Sequence, residues 1–232
     1  MCGSFEAVVF DFYNTLVEID SYELTTAQAL AKLGYHCPDI VAHMWSSDAF
    51  DGQTHPAGDG YDAWLINRFI QLCRDSGVAE EEAPNIAKIL YDMDTSCTVR
   101  PLAHAEETMR LARNLGLRVG LCSNWDYDIM PYLASVGLND FDAVITSRDV
   151  GARKPHRAPF EAVAGALSIP ARSVVFVGDS LNADITGAMH AGMGAMWISG
   201  SSRVLLPGRL WQVRDLKEVG RRLHSLQYRP GR

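Results

Sequence analysis

The sequence predicts an α/β protein: an open, doubly wound parallel sheet of Rossmann-like type, with an α-helical module inserted after its first strand. Three observations carry this. Short apolar runs recur along the chain and each breaks off into small or polar residues, as fully buried parallel strands do. Amphipathic helical stretches separate those runs from about residue 99 onward. Residues 17 to 98, by contrast, have helical spacing and no convincing strand.

The first run is Ala7, Val8, Val9 and Phe10, and it stops at Asp11, a charge where a buried strand should run out. Within the insert, "SYELTTAQALAKLGY", "YDAWLINRFIQLCRDSG" and "EEEAPNIAKILYDMD" read as helices, and the polar, Gly-rich "SSDAFDGQTHPAGDG" reads as a loop between two of them. The chain returns near "TVRP" at 98 to 101. After it, the strands "RVGLC", "AVIT", "SVVFV" and "GAMWI" lead into Ser123, Ser147, Gly178-Asp179 and Ser199. The helices "HAEETMRLARNLG", "YDIMPYLASVG", "APFEAVAGALS" and "NADITGAMHAG" alternate with them, and Gly116, Gly137 and Gly192 stand where helices should stop. Such alternation implies right-handed βαβ units. "VRDLKEVGRRLHSL" reads as a final amphipathic helix, with "QYRPGR" as a frayed tail. The expected division is a core of residues 1–16 and 99–232 and a helical domain of residues 17–98.

A chain of 232 residues suffices for one sizeable core with a smaller insert. Its net charge of −7 supplies no basic stripe, which argues against nucleic acid or an anionic membrane as partner. A small phosphorylated substrate needs only a local positive site and stays compatible. The five cysteines are scattered and without a CxxC pair, which speaks against a disulfide framework or zinc site and for a reducing cytoplasm. No signal peptide or membrane-length apolar run stands out.

In an open α/β sheet the ligand crevice lies beyond the carboxyl ends of the strands, so an insert leaving the first strand's end would cover it as a lid. Those ends carry Asp11, Tyr13 and Thr15; Ser123 and Asn124; Lys154 in "GARKP"; and Asp179 and Asp184 in "GDSLNAD". Three carboxylates meeting on one rim repel unless a cation lies between them, and hard oxygen donors suit Mg²⁺.

Four ordered motifs, "DFYNTLV", "LCSNWD", "ARKPHRAPF" and "VGDSLNAD", resemble the haloacid dehalogenase-like hydrolase superfamily over nearly the whole chain. The helical insert is similar to that family's small cap. The resemblance implies that Asp11 is a nucleophile forming a covalent aspartyl intermediate. It also implies that Thr15 and Ser123 hold the reacting anion and that Lys154 pairs with nucleophile and substrate. Mg²⁺ would be placed by Asp11, the Tyr13 carbonyl, Asp179 and Asp184, the last directly or through water. An exposed first-turn helix carboxylate would look like Asp184 too.

The family's phosphatases usually carry Asp two residues after the nucleophile, as acid to the leaving group and base for water. Here that position is Tyr13. A phenol titrates near pH ~10, and loss of a positioned acid–base group costs about 10²–10⁴-fold in rate. Tyrosine there is similar to the family's 2-haloacid dehalogenases, whose halide needs no proton. Those enzymes, however, lack the acidic fourth motif, and they carry a halide-binding Arg where residues 21 to 45 have none. Three readings stay open: a Mg²⁺-dependent phosphatase for a small metabolite, a dehalogenase or other C–X or C–P hydrolase, and a weakly active or inactive phosphate-binding protein. A good leaving group, such as an acyl phosphate, would need no acid, and Asp126 is either a substitute acid or a helix N-cap. Within the insert Trp45, His55 and Arg68 are the candidates for substrate choice: Trp45 reads first as a packed anchor and Arg68 as a solvated charge, whereas the loop position of His55 beside Pro56 favours function.

Overall fold

The computed structural model describes residues 5–21, 24–44, 51–94, 97–200 and 208–227. In chain order the elements are β1 (Ala7–Phe10), β2 (Val17–Ser21), α1 (Thr26–Lys32), α2 (Pro38–Met44), α3 (Gly60–Asp75), α4 (Ala83–Asp94) and β3 (Thr98–Pro101). There follow α5 (Ala105–Asn114), β4 (Arg118–Ser123), α6 (Met130–Ser135), β5 (Ala143–Thr146), α7 (Ser147–Val150), α8 (Arg157–Ala166) and β6 (Val174–Gly178). A wide π-type turn at Leu181–Thr186 leads into α9 (Gly187–His190), and β7 (Gly194–Ile198), β8 (Leu210–Val213) and α10 (Leu216–Gln227) complete the chain.

Six strands form one sheet in the order β5-β4-β1-β6-β7-β8, every pair parallel. β1 and β6 are buried along their whole length because both sheet faces are covered. Val8 and Phe10 of β1, with Val175 and Val177 of β6, join the apolar cluster under α5 and α10. Ala7, Val9, Val174 and Phe176 point into the cluster under α8 and α9. The doubly wound α/β sheet read from the sequence is thus observed, and Gly116, Gly137 and Gly192 have φ of 78°, 71° and 83° at their helix ends.

Three differences from the sequence reading have physical causes. Val17–Ser21 is a strand, paired antiparallel with Thr98–Pro101 in a two-stranded ribbon where the insert leaves and rejoins the core. Only Val17 of its five residues is buried, so its hydrophobic pattern is nearly silent. A sixth core strand, Leu210–Val213, lies at the sheet edge, where half-burial weakens the same signal. The helix expected near residue 127 begins at Met130, and the Asp128 carboxylate accepts from the Met130 N–H.

Helices α3 and α4 pack on each other, and their apolar residues Leu65, Phe69, Leu72 and Leu90 belong to the same cluster as Val8 and Phe10. Edge-on ring contacts run from Phe69 to Tyr91 within the insert and from Tyr91 across to Tyr127 of the core. Backbone hydrogen bonds also lace loop 51–58 along segment 148–154: Gly52 N to Lys154 O, Arg153 N to Gln53 O, His55 N to Gly151 O and Gly58 N to Arg148 O. No helix among the described residues is long and apolar enough to cross a membrane.

Candidate active site

Strand order builds the site. β4, β1 and β6 are neighbours, and Phe10 stands level with Leu121 and with Val177. Ser123, Asp11 and Asp179 therefore emerge from one edge of the sheet. The Asp11 N–H continues the ladder by one bond, 2.9 Å to Val177 O, which holds its carboxylate at the rim with 6% of its surface exposed.

Lys154 is the hub. Its side chain is buried, and its ammonium donates to Asp11 Oδ1 at 2.7 Å, Asp184 Oδ1 at 2.6 Å and the Cys122 carbonyl at 3.0 Å. All three of its donors are used. Burial works against the ammonium, but Asp11 and Asp184 outweigh it and hold Lys154 above the ordinary lysine range. Ser123 Oγ donates to the same Asp11 Oδ1 at 3.0 Å. Among the described residues nothing donates to Asp11 Oδ2.

One ammonium cannot neutralise the carboxylates around it. Asp11, Asp179 and Asp184 each offer an oxygen, all within 4.8 Å of one another. Burial, and then the Asp11 charge, raise Asp179 to about 6. Burial also pushes Asp184 up against the pull of Lys154. Both groups resist ionisation, first because they are buried and then because Asp11 is close by, and a hard divalent cation fits such a donor set. The backbone is cut to match: a Cβ on Gly178 would lie 2.3 Å from Asp184 Oδ2. The Ser180 N–H, 3.0 Å from that same oxygen, fixes the carboxylate. Burial raises the neighbouring Cys122 thiol to about 12, so it is packing and not a nucleophile.

A cavity of about 580 Å³ opens over these groups, lined by core residues including Asp11, Ser123, Lys154 and Asp179 and by the insert's Thr25, Thr26 and Val41. Tyr13 lines it with 40% of its surface exposed. Thr15 does not line it; the residue is fully buried and its hydroxyl has no hydrogen-bond partner among the described residues. Asn124 borders the cavity, but its amide is spent on the Lys154 backbone, donating to the carbonyl at 3.0 Å and accepting from the N–H at 2.8 Å. It positions the lysine.

His55 and Arg68 lie outside the cavity lining. His55 packs against Tyr61 and Trp64 at 4.7 and 4.9 Å, and burial lowers its pKa. Arg68 sits over the Trp64 ring at 5.4 Å. Trp45 lies outside the described residues. Asp126 neither caps a helix nor stands free as an acid: its Oδ1 accepts from Arg153 and from the Tyr61 hydroxyl.

Asn14, Asp51 and Arg153 escaped the sequence reading. Asn14, at φ 59°, lines the cavity together with Asp179 and draws the Asp179 pKa down slightly against burial and the Asp11 charge. Asx residues tolerate this backbone, so the "YNT" turn was the available clue. Buried Arg153 donates to Asp126, to Tyr61 Oη at 3.2 Å and to Asn124 O at 3.1 Å. An arginine beside a singled-out lysine gives no hint of this, because its partners lie 27 to 92 residues away.

A strand-end aspartate held by a buried lysine and a serine, beside an acidic pair just beyond the end of the neighbouring strand, is the arrangement of a hydrolase class that known proteins define. The family model for haloacid dehalogenase-like hydrolases matches residues 5–192, and the chain belongs to that family. It is 31% identical over 133 residues to haloacid dehalogenase-like hydrolase domain-containing protein 3 of Xenopus laevis, a match covering 56% of the chain and 54% of that protein. The chain thus spans about half the length of this relative. It is 30% identical over 203 residues to a glyceraldehyde 3-phosphate phosphatase of Methanothermobacter thermautotrophicus, covering 84% of the chain and 85% of the relative. In structure it is similar to a predicted phosphoglycolate phosphatase from Haemophilus somnus, with TM-score 0.65, 20% identity, and 93% and 96% of the two chains covered.

Proposed function

We propose that this hydrolase is a Mg²⁺-dependent phosphatase for a small phosphorylated compound, acting through an aspartyl-phosphate on Asp11. The observation that carries the reading is Lys154 bridging Asp11 and Asp184 while Asp179 completes the acidic cluster. Relatives named as phosphatases for glyceraldehyde 3-phosphate, phosphoglycolate and phosphoserine support it.

Asp11 Oδ1 is occupied by Lys154 and Ser123, so Oδ2 is the oxygen that attacks phosphorus, and the ester P–O bond breaks. Water then attacks the phosphorus of the acyl phosphate, releasing phosphate and restoring the carboxylate. Lys154 and Ser123 steady both forms by holding the other oxygen. Asp11, Asp179 and Asp184, with the Tyr13 carbonyl, would hold Mg²⁺, which when bound offsets charge on the phosphoryl oxygens. Residues 17–98 act as the cap over this chemistry, with 1–16 and 99–232 as the core. The four described cysteines are free thiols, which suits work in a reducing cytoplasm.

Tyr13 keeps the dehalogenase reading in view. Against it stands the retained acidic pair, which a halide-expelling site does not need. The deciding assay sets acetyl phosphate and p-nitrophenyl phosphate against a 2-haloacid. Phosphate release that is lost with EDTA and lost in Asp11→Asn supports the phosphatase. Halide release untouched by EDTA defeats it. No turnover of any of the three leaves a phosphate-binding protein.

A further inference from the structure

The insert sends a buried hydroxyl into the loops that carry Asp126 and Lys154. Resting on the phosphatase reading, we propose that Tyr61, at the start of α3, is a positioning residue for Lys154, holding the lysine's segment in register through Arg153 and Asp126.

The contacts form a closed triangle. The Tyr61 hydroxyl donates to Asp126 Oδ1, and Arg153 donates to that same oxygen and to Tyr61 Oη at 3.2 Å. Asp126 stands three residues beyond Ser123, and Arg153 directly precedes Lys154. Two corners of the triangle thus belong to core loops leading from Ser123 and into Lys154, and the third belongs to the insert. Arg153 also donates to the Asn124 carbonyl at 3.1 Å, and the Asn124 amide closes on the Lys154 backbone at 2.8 and 3.0 Å. Segments 123–126 and 153–154 are pinned to each other, with the Tyr61 hydroxyl at the junction.

Tyr61 is fully buried and Arg153 is buried with it, where hydrogen bonds gain strength from the low dielectric. Burial, and next the Asp126 charge, hold the phenol above its ordinary pKa, so it stays a donor. The following residue repeats the tie. Asp62 accepts from the Arg148 guanidinium on both carboxylate oxygens, and from the Tyr91 hydroxyl at 2.9 Å. The start of α3 therefore grips segment 148–153 near both of its ends.

Packing alone does not call for the hydroxyl. The Tyr61 ring lies against His55 and Trp64 at 4.7 and 5.3 Å, contacts that phenylalanine would keep. Tyr61 is also absent from the cavity lining, whereas Asp126 and Arg153 belong to it. Its hydroxyl acts on the reaction through these neighbours and not by touching substrate.

The test is Tyr61→Phe, assayed with Mg²⁺ and acetyl phosphate at a temperature where melts show every variant folded. An ångström's misplacement can cost about 100-fold, so losing one of several ties should lower kcat about tenfold while leaving KM little changed. Two backgrounds trace the path. Arg153→Lys puts a point-like ammonium where a planar fork spanned three acceptors, and Asn124→Ala frees the Lys154 backbone. Adding Tyr61→Phe to either should cost several-fold less than it does alone, because the tie it cuts is already broken; having two backgrounds guards against misfolding of either. An unchanged kcat, a loss carried by KM instead, or the full loss repeated in every folded background overturns the inference and leaves the phosphatase standing. If the unaltered protein releases no phosphate with Mg²⁺ from acetyl phosphate or p-nitrophenyl phosphate, the phosphatase reading falls, and this inference with it.

Discussion

Tyr13 lines the cavity beside Asp11, where a carboxylate could hand a proton to the leaving group. Its effect should therefore depend on the leaving group. Tyr13→Asp is expected to raise turnover of simple alkyl phosphates by about 10²-fold or more while changing acetyl phosphate hydrolysis little, because only the alkoxide needs the proton. Equal effects on both, measured as kcat, would assign Tyr13 a task other than the missing acid. Lys154 answers to a different logic. Lys154→Met would leave two buried carboxylates facing each other, at a cost of about 3–5 kcal/mol. Chemical denaturation should show that loss, and phosphate release should fall with it.

Loop 51–58 ties the insert to the segment carrying Lys154, and Gly151 is the pivot of that strap. Its φ is 71°, and a Cβ there would stand 2.9 Å from the His55 carbonyl oxygen. Gly151→Ala should therefore destabilise by roughly 1–3 kcal/mol. It should also raise KM more than it lowers thermal stability alone explains, since the strap carries Asp51 to the cavity. An unchanged Tm together with unchanged KM would show that the strap is not rigid. The same region marks what the sequence could convey about elements. The buried runs of β1, β4 and β6 were legible because their buried interiors, Ala7–Phe10, Val119–Cys122 and Val174–Gly178, hold only apolar side chains and glycine. Strand β2 was not, because four of its five residues are only partly buried or exposed.

Across the molecule, the acidic cluster couples folding to pH and, under the proposed function, to Mg²⁺. An aspartate titrates at about 3.9 in an unfolded chain, whereas Asp179 is raised to about 6 and Asp184 is also raised. Groups with raised folded values contribute stability below the unfolded value and lose it as pH climbs through the folded one. Without a divalent ion, their contribution should thus fade from about pH 4 to above pH 6. Mg²⁺ competes with those protons, so its stabilisation should grow over the same interval. Thermal melts with and without Mg²⁺ should show a larger Tm gain at pH 8 than at pH 5. An equal gain at both would mean that the ion binds elsewhere.

The sequence by itself determined the doubly wound sheet, the helical insert, and the placing of Asp11, Ser123, Lys154, Asp179 and Asp184 at strand ends. Periodicity and strand-terminating polar residues are local signals, and order along the chain is enough to read them. Tertiary structure alone decided which groups meet. It turned Asn124 toward the lysine backbone, buried Thr15 away from the cavity, and set His55 and Arg68 outside the cavity lining. It also locked Asp126 to Arg153 and brought Asp51 to the cavity wall. Those outcomes rest on contacts between residues tens of positions apart, whose geometry depends on how the insert packs on the core. That packing is set by the shape of a shared apolar cluster, which no single stretch of the chain encodes.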